Sequence, residues 1–216
     1  MGLAPPGPHN PLAALDEGPL SGLGGNATLP AGFGLISADA CLGVPGTPQS
    51  ATGGASLFTG RNAPALVGDH LQGYPNAALR ELIARDGLLR KARERGAHVD
   101  FANAYTPAFF SRGRTRHRSV TTVMAESSGI PLKRLEHLRR GEAVYREFTN
   151  RYLIESGLEI EEISPEEAGA RLGRMTRARD LLVYEFFQTD IAGHRGTFED
   201  ALEVLGPLNR FLGTAV

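Results

Sequence analysis

Gly43–Asn62 reads GVPGTPQSATGGASLFTGRN, with Gly43, Gly46, Gly53, Gly54 and Gly60 gathered about two hydroxyls, Ser50 and Thr52. Glycines let backbone N–H groups converge on an anion, and a helix opening behind them lets a short nucleophile stand exposed. The same composition also makes an ordinary Gly/Pro/Ser loop. A second stretch far downstream, Thr189–His194 (TDIAGH), weighs towards chemistry.

Outward from the glycine-rich stretch, the periodicity predicts an α/β fold. Phe33–Ala38 (FGLISA) is a short apolar run that reads as a strand entering the loop. Ala55–Thr59 suits a helix beginning just after the hydroxyls. Asn76–Leu89 repeats Leu79, Leu82, Ile83 and Leu89 at helical spacing, and a second helix through Lys91 and Arg95 ends at Gly96. Val99–Ala104 (VDFANA) follows as a strand, and the order strand, loop, helix, strand is that of α/β architecture. The first 32 residues, rich in Gly and Pro, read as surface loop with a helical turn at Leu12–Leu15.

Residues 105–178 change character. Arg112, Arg114, Arg116, His117 and Arg118 form a basic cluster suited to a phosphate-bearing substrate or to a solvated face. Helices are expected at Ser119–Glu126, Leu132–Arg140 and Val144–Glu155. Ser164-Pro165-Glu166-Glu167 is a helix start, with serine as cap and proline in the first turn. The expected organisation is an α/β core of 1–104 and 179–216 with 105–178 as a helical insertion or cap. Asp180–Phe187 (DLLVYEFF) is apolar enough for a strand in the middle of a parallel sheet, which would set Asp190 near a carboxyl end where ligands collect. Phe198–Leu212 closes the chain as a helix with Leu202, Leu205, Leu208 and Phe211 as its apolar stripe.

Bulk properties narrow the partners. The 216 residues carry a net charge of -1, with 41% hydrophobic and 22% charged residues, which is ordinary for a globular protein and gives no reason to propose nucleic acid or a membrane surface. Cys41 is the only cysteine, so neither an intrachain disulfide nor a cysteine zinc cluster can form. A lone thiol, no apolar run near the ~18 residues of a membrane span, and an N-terminus without a basic, apolar leader make a cytoplasmic location the expectation.

Asp190 and His194, four apart, pair a carboxylate with an imidazole, both ligands for zinc or manganese; taken alone, D-x-x-x-H is more often an Asp capping a turn beside a surface His. Ser50 has no G-x-S-x-G around it, and Gly60 is followed by Arg61 and Asn62 rather than Lys and Ser/Thr, so neither a hydrolase elbow nor a P-loop is present. Activation by a divalent ion remains.

QSATGGASLFTGR resembles the nucleophile segment of cofactor-independent phosphoglycerate mutases and, more distantly, of phosphopentomutases. TDIAGH resembles the D-x-x-G-H metal motif of the same enzymes, which belong to the alkaline phosphatase superfamily. The resemblance implies an alkaline-phosphatase-like, mainly parallel sheet flanked by helices. It also implies metal-dependent phosphoryl transfer or phosphate-ester hydrolysis on a small phosphorylated substrate. Ser50 matches the transiently phosphorylated nucleophile, also a ligand of one of two divalent ions (Mn or Zn), and is favoured over Thr52. Asp190 and His194 match ligands of the other ion, whereas Gly54 stands where the mutases have histidine. The superfamily's N-terminal Asp-Gly and later Asp-His-Gly have no counterpart, and the one Asp-His pair, Asp69-His70, is followed by Leu71. The expectation is a core lacking its first and last strands, with a partial metal site and impaired turnover. The alternative is a non-catalytic remnant or fragment that binds a phosphorylated ligand or a protein partner.

Overall fold

A computed structural model of the chain describes residues 7, 9–24, 36, 38–111 and 117–215. The strand expected at Phe33–Ala38 falls mainly outside the described residues, as do Arg112, Arg114 and Arg116. The protein is a mixed α/β chain with small parallel sheets, divided into two compact units. One comprises Ile36–Leu135 with Thr176–Val183 and holds Ser50. The other comprises Met1–Leu35, Glu136–Met175 and Tyr184–Val216 and holds His194.

In the Ser50 unit, helix α1 (Ser50–Thr59) begins on Ser50 itself, so both hydroxyls lie inside the helix rather than ahead of it. It ends at Gly60, whose φ of 70° is the left-handed conformation glycine adopts without strain. Ala51, Thr52, Ala55 and Thr59 line its buried face. Side chains this small let neighbouring helices approach closely; a Cβ on Gly54 would stand 3.4 Å from Val120. The short α2 (Ala63–Val67) is capped by Asn62, whose Oδ1 accepts from the Ala65 N–H at 3.1 Å. The helix expected over Asn76–Leu89 divides at Gly87 into α3 (Ala77–Asp86) and α4 (Leu88–Glu94), because Gly87 leaves helical geometry (ψ 137°).

Strands β1 (Val99–Phe101) and β2 (Ala104–Tyr105) replace the single strand expected there. Helices α5 (Pro107–Ser111) and α6 (Val120–Ser127) follow, the latter capped by the Ser119 hydroxyl, which accepts from the Thr122 N–H. Strand β3 (Lys133–Arg134) pairs parallel with β2, and β4 (Leu181–Val183) pairs parallel with β1, Asp100 opposite Leu182. Among the described residues β4 has β1 as its one partner and Leu181 and Leu182 are half-buried, so it is shorter and less enclosed than DLLVYEFF suggested. The core of this unit is Leu79, Ile83, Leu89, Phe101 and Met124, all fully buried, each contributing about 1.5–3 kcal/mol on burial.

In the His194 unit, α7 (Leu135–Arg139), from Glu136 onward, leads to a turn and then α8 (Arg151–Glu155). The helix expected from Val144 does not form, because Phe148 (φ 51°) and Asn150 (φ 69°) take left-handed geometry that interrupts it. Helix α9 (Pro165–Thr176) starts as its cap predicts, the Ser164 hydroxyl accepting from the Glu167 N–H at 3.0 Å. After β4 come α10 (Gln188–Arg195) and α11 (Phe198–Ala215). Phe148 stacks on Phe211 with ring centroids 4.7 Å apart, and Val144, Ile163 and Ala168 complete the core. Gly169 lets α9 approach α11, since a Cβ there would collide with the Phe211 carbonyl. No helix among the described residues is long and apolar enough to cross a membrane.

Candidate functional site

Ser50 is the first residue of α1, with its side chain exposed. Its Oγ accepts the Gly73 N–H at 2.9 Å. Thr52, two residues on, is fully buried; its Oγ1 accepts the Leu71 N–H at 3.2 Å and donates to the Gln49 carbonyl at 3.4 Å. The two hydroxyls are therefore divided by exposure, one facing solvent and one fixing the fold.

The helix start is also held by backbone. The Leu71 carbonyl accepts from the N–H groups of Ala51 (3.0 Å) and Thr52 (3.4 Å), donors that an α-helix leaves without intrahelical partners. A helix terminus gathers anions through such groups, and here two are engaged by the chain itself. Next to Gly73, the exposed Tyr74 ring lies against His117 with centroids 5.2 Å apart. This brings one member of the basic cluster to the segment that contacts Ser50. Arg118 is committed elsewhere, lying over the Phe109 ring at 3.9 Å with Glu126 3.5 Å away.

Asp190 and His194 lie on α10, one helical turn apart, rather than on a turn leaving a strand. His194 Nε2 is 3.5 Å from Asp190 Oδ1, and the side chains are 47% and 55% exposed. Asp190 sits in the first turn of α10, where a negative charge is favoured by the helix dipole. The structure brings these two residues together in the His194 unit, whereas Ser50 and Thr52 belong to the Ser50 unit.

A bound ion needs several convergent donors: four for structural zinc, or three with an open position for catalysis. Among the described residues no group of three or more His, Cys, Asp or Glu side chains could hold a metal ion. Asp190 and His194 are a solvent-facing pair directed at each other, so they do not fit the two-ion centre that the resemblance implies. Asp69 and His70 are likewise engaged locally: Asp69 accepts from the His70 N–H, and His70 Nε2 meets the Val44 carbonyl at 3.1 Å.

Sequence reasoning missed Leu71 and Gly73, which act here through backbone groups that no side-chain motif marks. It also missed the Tyr74–His117 contact, for which an aromatic residue beside a glycine was the one available cue. No protein-family model, curated protein or solved structure matches this chain.

Proposed function

We propose that the chain has the fold and ancestry of the alkaline phosphatase superfamily, and that Ser50 is the hydroxyl that meets the phosphorus of a small phosphorylated substrate in the cytoplasm. The observation that supports this reading is the placement of Ser50: an exposed hydroxyl on the first residue of a helix, with its oxygen oriented by the Gly73 N–H. Thr52 is too deeply buried to share that role. The described residues do not complete the two-ion centre that such chemistry uses to activate a hydroxyl. Turnover by this chain alone is therefore slight or absent, and metal binding is weak and confined to Asp190 and His194.

Calorimetric titration of the chain with Mn²⁺ and Zn²⁺, alongside turnover of p-nitrophenyl phosphate, tests this. Weak binding of metal, lost in Asp190→Ala/His194→Ala, is the expected result. Tight binding of two ions with robust turnover that Ser50→Ala abolishes would overturn the incomplete-site reading. Metal affinity unchanged in the double variant would remove Asp190 and His194 from it.

A second reading is favoured by the missing third metal donor among the described residues. Under it the chain binds a phosphorylated ligand or a protein partner without chemistry. Affinity for a phosphate ester that survives both EDTA and Ser50→Ala supports this reading, and loss under both conditions excludes it.

A further inference from the structure

Three cations from three separate elements of the Ser50 unit meet at one carboxylate. Asp86, the last residue of α3, is 8% exposed. Its Oδ2 accepts from Arg61 Nε at 3.0 Å and from Arg85 Nη2 at 3.2 Å, and Lys91 Nζ stands 3.9 Å from Oδ1. Arg61 follows the left-handed Gly60 that ends α1, Arg85 lies in the last turn of α3, and Lys91 lies on α4. Lys91 is accounted for within the fold, since it also donates to the Thr59 carbonyl at 3.3 Å, one of the acceptors that a helix C-terminus leaves open. The two guanidinium groups are not. Each is more than half exposed, and each spends a single nitrogen on the same carboxylate oxygen. Both Nη groups of Arg61, and Nε and Nη1 of Arg85, have no hydrogen-bond partner among the described residues.

Two like charges held at one oxygen repel each other at short range, and one carboxylate cannot neutralise both. The surroundings do not supply the missing charge. Residues 85–95 (RDGLLRKARER) carry five cations and two carboxylates, and the second carboxylate, Glu94, is taken by Arg90 at 2.7 Å. The whole chain has a net charge of -1, so this positive charge is a local concentration. Asp86 thus holds the pair together from the buried side and leaves an excess of positive charge on the solvent side.

A guanidinium group is a rigid planar fork whose N–H groups match the oxygens of a phosphate, and a doubly charged anion answers an excess left by two cations. We propose that Arg61 and Arg85, fixed by Asp86, bind a doubly charged phosphate group, free or carried on a small molecule, by donating their remaining N–H groups to its oxygens. The site is distinct from Ser50. Ser50 opens the ten-residue α1 and Arg61 follows its far end, so the two are separated by about 15 Å of helix.

Calorimetric titration of the full chain in EDTA, at about pH 8 and low salt, tests this, since phosphate is then doubly charged and screening is weak. The probes are inorganic phosphate, glycerol phosphate and acetate. Saturable binding of a phosphate probe is expected, and the tighter of the two identifies the group as free or esterified. Acetate, with a single charge, binds at least about tenfold more weakly. Arg61→Gln and Arg85→Gln each lower phosphate affinity at least about fivefold. Arg90→Gln, which removes a nearby cation already paired with Glu94, and Ser50→Ala leave it within about twofold. Each glutamine variant keeps one guanidinium and Lys91 on Asp86, and a urea midpoint shows that it is folded; if one is not, Arg61→Lys, which keeps the charge without the fork, is expected to show the same direction of loss. Absence of saturable binding, acetate as tight as phosphate, or equal losses in Arg90→Gln, Arg61→Gln and Arg85→Gln overturns the proposal. A loss in Ser50→Ala with none in the arginine variants overturns it too, while supporting the reading of Ser50; failure of that reading, in turn, leaves the arginine results unchanged.

Discussion

Replacing Thr52 by Val and Ser50 by Ala separates the two hydroxyls of the glycine-rich stretch by role. Thr52 is fully buried and its Oγ1 receives the Leu71 N–H at 3.2 Å. Valine keeps the side-chain volume, so no cavity opens, but it removes the acceptor and leaves a part-buried donor unpaired. That costs about 1–2 kcal/mol, the lower part of the usual range because Leu71 is only half-buried. Ser50 is exposed, and water replaces its Oγ as partner for the Gly73 N–H, so Ser50→Ala stays within about 0.5 kcal/mol. Urea unfolding followed by far-ultraviolet circular dichroism reads both. With an m-value of about 2 kcal/mol/M, Thr52→Val lowers the midpoint by roughly 0.5–1 M and Ser50→Ala by less than about 0.3 M. A Thr52→Val midpoint equal to that of the unaltered chain, or a Ser50→Ala shift as large as the one expected for Thr52→Val, would refute the division of roles.

Gly169→Ala forces a Cβ against the Phe211 carbonyl and the Thr214 hydroxyl, so thermal unfolding should show a loss of about 1–3 kcal/mol from overpacking. Tyr184 donates to the Tyr145 carbonyl at 2.8 Å, and desolvation, aided by the carboxylates of Glu147 and Glu185, raises its phenol well above the ordinary value of 10.0. A raised folded-state pKa means that this contribution is fully present below about pH 10 and is lost as pH rises beyond it. Melting curves taken from about pH 9 to 11 should therefore fall more steeply for the unaltered chain than for Tyr184→Phe. Asp190→Ala/His194→Ala, removing an exposed pair, should change stability by less than about 0.5 kcal/mol in the same assay.

Elements with local signals were legible in the sequence. The cap Ser164, the turn glycine Gly96 and the stripe ending in Phe211 all sit where short-range rules put them. Asp180–Phe187 reads as one buried strand because Leu181–Tyr184 and Phe186–Phe187 form a nearly continuous apolar run in which Glu185 alone does not mark a division. Leu181–Val183 enters the sheet of one unit, while Tyr184 and Phe186 pack into the aromatic core of the other. Val144–Glu155 kept a helical pattern, yet the left-handed turn at Phe148 and Asn150 is dictated by tertiary packing that periodicity does not register. For the site, a spacing of four between Asp190 and His194 suits a metal-binding turn and a helical ion pair equally well, and the structure holds the helix. The ranking of Ser50 over Thr52 rests on resemblance; the structure adds only that Thr52 is enclosed while Ser50 faces solvent.

The Leu71 carbonyl that receives the Ala51 and Thr52 N–H groups is tethered to them through the chain, so it competes at an effective concentration that a dissolved anion does not match. An anion meeting this helix end would first have to displace the Leu71 carbonyl, at the free energy of lifting residues 71–73 away. Those residues also hold Ser50 and Thr52 through Gly73 and Leu71. Releasing the tether would expose the donors, free the serine oxygen and loosen the buried threonine in one step, so that occupancy by an anion and local order of the 71–73 segment become opposite sides of a single equilibrium.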